Sequence, residues 1–444
     1  MKREQFELSG LHDEHRDRAV LVAVDHARHG WPLDESLAEL ARLAHTAGCD
    51  VVGTVTQKLD HPHTRSFVGP GKAQEIADLA REMQANTVIF DDDLSPSQQV
   101  NIEDLIDRAR ILDRTALILE IFAQHAESRE GKLQVELARM EYVLPRLRGM
   151  WGHLEAERLG GGRGARFGAG ESQLEVDRRL TRRRISDLKR DLKQVSANRQ
   201  VQRHQRASSG VFRVSLVGYT NAGKSTLLNA LTGAGALVQD QLFATLDSTT
   251  RKLDLPEGRE ITLTDTVGFI HKLPHGLVEA FKSTLDEVRE ADLLMHVIDG
   301  SHPQAEAQAN AVDVVLSEID AHRKPKLLVV NKCDVMSPED MNSLSRRHPD
   351  AVFISAFTGQ GLEELLARIA KEASRGTRLM TVLIPYIRGE LVQLAHERTQ
   401  VVSERHTGEG TGLVLSVPSE FISRFEPYLS PAVKDSAEHG PQDA

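Results

Sequence analysis

The stretch Gly218-Tyr219-Thr220-Asn221-Ala222-Gly223-Lys224-Ser225 decides how this chain is read. It matches G-x-x-x-x-G-K-[ST] in the context the pattern needs, after a strand-length apolar run at 211–217 and before a helical stretch at 225–231. Its glycines let successive backbone N–H groups curl around phosphates, and the helix N-terminus adds a favourable dipole. Lys224 is expected to bridge the β- and γ-phosphates, and the Ser225 hydroxyl to ligate Mg²⁺. The fold around such a loop is α/β, a mostly parallel sheet with helices on both faces.

The remaining parts of a nucleotide site follow in order, each after a predicted strand. Asp265-Thr266-Val267-Gly268 follows the strand at 261–264; Asp265 suits a carboxylate that orients Mg²⁺ waters, and the Gly268 N–H suits a γ-phosphate sensor. Asn331-Lys332-Cys333-Asp334 follows the apolar strand at 327–330. A carboxylate at Asp334 accepts two hydrogen bonds from the N1–H and amine of guanine, which adenine does not offer, so the pattern selects GTP. Ser355-Ala356, with Phe357 next to them, follow the strand at 352–354 and give a loop whose backbone can approach the guanine oxygen. The γ-phosphate-sensing threonine belongs between the phosphate loop and Asp265, in Phe243-Ala244-Thr245-Leu246-Asp247-Ser248-Thr249-Thr250. On chemistry alone Thr245, Thr249 and Thr250 all qualify.

A length of 444 residues suggests about three domains, and 40% hydrophobic with 27% charged residues is the composition of a soluble globular protein. No apolar run reaches membrane-spanning length, and the opening MKREQFELSG lacks the apolar core of a secretory signal. Two cysteines, Cys49 and Cys333, make no disulfide framework and fit a reducing compartment; a cytoplasmic location is expected. The net charge of −10 is unevenly spread: residues 146–206 carry 16 Lys/Arg against 7 Asp/Glu. A basic block in an acidic chain is a footprint for a polyanion, although charge runs are also solvated helix faces.

Four regions are expected. Residues 1–128 alternate strands (19–24, 50–56, 87–90) with helices (33–47, 72–83, 96–109), a small α/β domain with a largely parallel sheet. Residues 129–206 read as a coiled-coil αα-hairpin. Leu133, Leu137, Met140, Leu144 and Leu147 form one seam, and Ile185, Leu188, Leu192 and Val195 the other. Between them, 149–170 holds eight glycines and the basic residues Arg158, Arg163 and Arg166. Residues 207–375 form the G domain. Residues 376–444 form a small α+β domain with strands at 380–384, 400–404 and 411–417 and a tail expected to be disordered.

With these residues in view, the sequence resembles the HflX family of ribosome-associated GTPases over nearly its whole length. The most specific stretches are FVGPGKAQEI at 67–76, GAGESQLEVDRR at 168–179, FATLDSTTR at 243–251 and DTVGFI at 265–270. The chain departs from the family in having Gly168-Ala169-Gly170-Glu171-Ser172 where Gly-Pro-Gly-Glu-Thr is more usual, and Ser248 in place of proline. The resemblance implies binding to the large ribosomal subunit, including its RNA, and splitting of stalled or idle ribosomes in the GTP form. DNA binding is not implied, and nothing demands a dimer. It selects Thr245 of FATLD as the Mg²⁺ ligand, with Ser225, and Asp265 behind them. It also implies that 243–247 and 265–268 line the nucleotide.

The residue after Gly268 is Phe269, where many GTPases have a glutamine that orients the attacking water. With Lys224, Gly268 and Phe269 as its catalytic elements, the domain is expected to hydrolyse GTP slowly alone and faster on the ribosome. Asn221 sits where related translational GTPases place a K⁺-ligating asparagine, which makes K⁺ a second candidate cation beside Mg²⁺. Read from its residues, the 65–72 loop is expected to be exposed, with Arg65 and Lys72 reaching RNA phosphates and Phe67 stacking on a base. The alternatives are an RNA-remodelling or ribosome-assembly GTPase and a nucleotide-gated protein adaptor. The first lacks any H-E-x-x-H, paired cysteines or methyl-donor glycine motif.

Overall fold

The computed structural model describes residues 16–26, 31–106, 109–147, 169–207, 211–233, 242–243, 245–256, 259–272, 282–375, 377–418 and 421–430. The chain divides into two compact units: Met1–Val195 with Gln239–Asp247 and Val267–Thr284, and Ser196–Val238 with Ser248–Thr266 and Leu285–Ala444.

The first unit begins β1 (Asp17–Asp25), α1 (Leu33–Thr46), β2 (Cys49–Lys58), α2 (Pro70–Glu82), β3 (Thr87–Phe90), α3 (Pro96–Glu103), β4 (Arg110–Asp113) and α4 (Arg114–His125). The strands make one parallel sheet in the order β2-β1-β3-β4. Ala19 to Val24 of β1 are all at most 1% exposed, so this strand reads as an unbroken apolar run rather than an alternation. The helix expected to reach residue 109 stops at Glu103. It starts on Pro96 with a Ser95–Gln98 capping box, and the sheet then gains the unforeseen strand β4, whose Ile111 and Leu112 are buried. α4 follows without a loop, because Asp113 is at once the last strand residue and the N-cap, its carboxylate accepting the Ala116 N–H at 2.8 Å.

The loop at 65–72 corrects the expectation for Phe67. Phe67 is 6% exposed, lies in the apolar core beside Phe90 (ring centroids 6.2 Å apart, edge-on), and exchanges two backbone hydrogen bonds with His63. Burying an aromatic ring of this size is worth more than leaving it in water for stacking, and the tight turn supplies the φ of +60° that brings it inside. Lys72 is half-buried and paired with Glu75 at 2.7 Å; only Arg65 of the three is exposed.

α5 (Arg129–Val143) and α6 (Ala169–Ala207) meet along the expected seam. Leu137, Ile185 and Leu188 are buried, with Leu133, Met140, Leu144 and Leu192 packed around them. Arg184 with Glu136 and Lys189 with Glu141 flank the seam at 2.6 and 2.8 Å. Leu147 is buried outside this cluster, and the glycine-rich connection at 148–168 lies outside the described residues.

The second unit carries β5 (Phe212–Gly218), α7 (Lys224–Thr232), β6 (Thr249–Asp254), β7 (Glu260–Asp265), α8 (Lys282–Glu290), β8 (Leu293–Asp299), α9 (Ala305–Glu318), β9 (Lys326–Asn331), α10 (Pro338–Arg347), β10 (Val352–Phe353) and α11 (Leu362–Ser374). The first three residues of α8 cluster with the first unit. The sheet order is β10-β9-β8-β5-β7-β6, parallel throughout except for β6 on β7. A separate antiparallel sheet, β11-β13-β12, follows, built from β11 (Thr377–Ile384), β12 (Gln400–His406) and β13 (Thr411–Pro418) around Val382, Leu413, Leu415 and Phe425. Buried Arg259 ties the two sheets, donating to the Ala373 carbonyl and the Ser416 hydroxyl, each at 2.5 Å. Among the described residues no helix is long and apolar enough to cross a membrane.

Candidate nucleotide site

β5 ends at Gly218 and the chain turns through 219–223 into α7. Gly223 caps that helix in the left-handed region (φ +90°), and a Cβ there would run into the Asn331 amide, so glycine is required twice over. Lys224 is 6% exposed and donates to the Gly218 and Tyr219 carbonyls at 3.2 and 2.8 Å, bracing the loop that it closes. Burial pulls its ammonium down to about 8, and the Asp265 carboxylate acts in the opposite direction. At the end of β7, Asp265 is 1% exposed and accepts the Ser225 hydroxyl at 2.6 Å. A hydroxyl and a carboxylate side by side at the mouth of a phosphate loop are hard oxygen donors that suit Mg²⁺. No group of three or more acidic, His or Cys side chains among the described residues makes a protein-only cage. P-loop GTPases use Mg²⁺ with their nucleotide.

The base side is built on β9 and β10. Asn331 (2% exposed) donates to the Ala222 carbonyl at 2.9 Å and accepts the Ala356 N–H at 3.0 Å, locking the phosphate loop to the 355–357 loop. Lys332 adopts φ +65° and reaches Asp299 at 2.6 Å, while the Cys333 N–H bonds the Ile354 carbonyl at 3.0 Å. These contacts turn Asp334 outward, where it is exposed. Ser355 is fully buried, its hydroxyl accepting the Thr358 N–H at 3.1 Å, and Phe357 is 88% exposed. The residues 218–225, Asp265, Thr266, 331–334 and 355–357 thus share the carboxyl ends of β5, β7, β9 and β10 in one unit.

Thr245, Val267, Gly268 and Phe269 belong to the first unit. The side chains of Phe243 and Leu246 are 2% exposed there, and the Asp247 carboxylate accepts the Ser128 N–H at 2.7 Å. Phe269 is 1% exposed. Ala244 lies outside the described residues. Of the three candidate threonines, Thr249 and Thr250 lie in β6, paired with Asp265 and Thr264, and the Thr250 hydroxyl bonds that of Thr264 at 3.0 Å. The sequence reading missed Asp299, the partner of Lys332; its place at the polar end of the apolar strand β8 was the available signal.

A glycine loop closed by a buried lysine, an acid beside its serine and an outward carboxylate for the base define a P-loop guanine nucleotide-binding protein. A family model described as "50S ribosome-binding GTPase" matches residues 213–332, and models described as "GTP-binding GTPase N-terminal" and "GTP-binding GTPase Middle Region" match 34–123 and 125–206. The chain is 45% identical to the GTPase HflX of Caldanaerobacter subterraneus subsp. tengcongensis over 93% of its own length and 94% of that protein. It is 45% identical to the GTPase HflX of Escherichia coli K12 over 80% of this chain and 83% of that one. A solved structure described as the SsGBP and GDP complex aligns at 26% identity and a TM-score of 0.45, covering 81% of this chain and 99% of that one. The protein belongs to the HflX family, and its enzymatic activity is that of a GTPase.

Proposed function

We propose that this protein binds the large ribosomal subunit through its helical hairpin and, loaded with GTP, splits stalled or idle ribosomes in the cytoplasm. The observation that carries this reading is a basic stripe on α6. Arg179, Arg182, Arg183, Arg190 and Lys193 are exposed and, at helical spacing, fall on one broad face of α6 turned away from the Ile185–Leu188 seam. Arg184 and Lys189, nearer the seam, are taken up by glutamates of α5, and among the described residues Arg190 pairs with Asp187 of its own helix. Such a stripe suits the closely spaced phosphates of structured RNA better than it suits a protein groove.

In this reading Lys224 and the 218–225 amides hold the phosphates. Ser225 and Thr245 would ligate Mg²⁺ and Asp265 would orient its waters, the Gly268 N–H would sense the γ-phosphate, and Asp334 would read guanine. Phe269 neither donates nor accepts a hydrogen bond, so the isolated protein turns over slowly and the ribosome supplies what is missing. Asn221 is the residue through which K⁺ would act; equal rates in KCl and NaCl would remove that cation from the scheme. The test is sedimentation of 70S ribosomes with protein and a non-hydrolysable GTP analogue. Subunits are expected with the analogue and not with GDP, and their appearance should fall steeply with salt. Splitting that needs hydrolysis, or binding indifferent to salt, would favour the adaptor reading.

A further inference from the structure

In the first unit the two segments that carry Thr245 and Gly268 are each held by an anchor outside the G domain. Leu242, Phe243 and Leu246 are at most 5% exposed, and the Phe243 ring stands edge-on to Phe122 with centroids 4.7 Å apart. The Asp247 carboxylate accepts the Glu127 and Ser128 N–H groups at 3.0 and 2.7 Å, and the Ser128 hydroxyl as well. Ser128 is also the N-cap of α5, accepting the Gly131 N–H at 2.9 Å, and a Cβ at Gly131 would lie 2.7 Å from the Asp247 carboxylate. The segment around Thr245 is therefore fastened to the start of the hairpin's first helix.

The second anchor lies at the carboxyl ends of β1 and β3, where the order β2-β1-β3-β4 changes direction. Open parallel sheets take their ligands at such a point. Here the chain itself is the occupant. Lys272 lies 2.9 Å from Asp91 and 2.5 Å from Asp92, the His271 ring stacks on Trp31 at 4.5 Å, and the His271 carbonyl accepts Arg114 at 3.1 Å. Arg114 is 1% exposed and is shared with Glu39 and Asp91 at 3.2 and 2.7 Å. Only three residues lie between Gly268 and Lys272, too few to leave the glycine free once the lysine is held.

We propose that Ser128 and the Asp91–Asp92 pair are positioning residues for GTP. Acting through Asp247 and Lys272, they hold Thr245 and Gly268 in place, and so set how strongly the protein prefers GTP over GDP. A switch threonine that starts free must be ordered when GTP binds, at a cost in conformational entropy; one already fixed between buried anchors is spared most of it. The inference rests on Thr245 being the Mg²⁺ ligand and Gly268 the γ-phosphate sensor.

The experiment measures affinities of the full-length protein for fluorescent GDP and for a non-hydrolysable GTP analogue with Mg²⁺, in Ser128→Ala, Ser128→Thr, Lys272→Met and Thr245→Ala. Ser128→Ala and Lys272→Met are expected to weaken the analogue by roughly fivefold or more, the usual scale of coupling between sites, with GDP within about twofold. Ser128→Thr, which keeps the hydroxyl, restores the preference. A purely structural role would lower thermal stability and both affinities together, and that result overturns the proposal. An unchanged or increased preference for the analogue in both anchor variants overturns it too. If Thr245→Ala lowers the preference while the anchor variants do not, the site reading stands and the anchors fall. If Thr245→Ala also leaves it unchanged, both fall.

Discussion

The four-stranded and six-stranded sheets of this protein share one feature, a reversal of strand order between parallel neighbours, and use it with opposite charge. In each, strand order reverses at a central pair, β1 and β3 in one and β5 and β8 in the other, opening a crevice at the carboxyl ends. After β5 the chain supplies backbone N–H groups, a glycine hinge and Lys224, a site for an anion. After β3 it supplies Asp91 and Asp92, and the cations that answer them are Arg114 and Lys272 of the same chain. Burial alone would raise the Asp91 carboxyl, but Arg114, Lys272 and the Ser36 hydroxyl outweigh it and hold the group below the usual carboxylate range. The same reversal thus serves as a ligand site or as an internal joint, depending on the residues placed at the strand ends.

The comparison can be broken first at the anion site. Lys224→Ala removes the only buried ammonium aimed into the phosphate loop among the described residues. Nucleotide affinity should fall by about 10²-fold or more and hydrolysis be lost, as fluorescent-nucleotide titration and phosphate release will show. Asp334→Asn exchanges an acceptor for a donor facing the guanine amine; GTP should weaken by roughly 10²-fold while xanthosine triphosphate, with an oxygen at that position, binds better than GTP. Retained guanine preference in a competition assay would remove Asp334 from its role.

A third test concerns stability. His296 on β8 is 1% exposed, and burial pushes it down to about 4, against the pull of Asp313 at 4.0 Å. The unfolded chain takes up this proton near pH 6.5, before the folded one, so stability is lost as pH falls from 6.5 towards 4 and the loss levels off below that. The difference is worth roughly 3 kcal/mol. Urea unfolding at pH 7 and pH 4.5 should show that difference shrink in His296→Leu. The smallest effect concerns Lys224 again. Its ammonium is lowered to about 8, and a bound phosphate would raise it, so binding takes up a proton above pH 8. Affinity should fall by about tenfold per pH unit there, with proton uptake visible when calorimetry is run in two buffers.

The strand ends at which the candidate site residues stand were legible in the sequence. The phosphate loop, Asp265, Asn331–Asp334 as a run and Ser355–Ala356 each stand at a strand end, where a handful of neighbours fixes backbone direction. The hairpin seam was equally plain, because a step of three and four repeats along both helices. β4 and β6 escaped notice for different reasons. Four residues, RILD, are too few to show a period, and the TTRKLD of β6 carries threonines that chemistry alone offers as metal ligands. Phe67 misled because a loop rich in glycine and proline looks exposed, whereas the nearby Phe90 and the free energy of burying a ring draw it into the core.

The sequence by itself determined the reaction class. The spacing of glycines, lysine, acids and asparagine is a short-range code for holding a guanine nucleotide, and it survives being read one strand at a time. Only the tertiary structure decided what holds the segments around Thr245 and Gly268. Ser128 and Asp247 are 119 residues apart, and Asp91 and Lys272 are 181 apart. No periodicity or motif links such pairs. They meet because Phe243, Leu246 and Phe269 must leave water, and their burial brings the neighbouring charges within hydrogen-bonding reach.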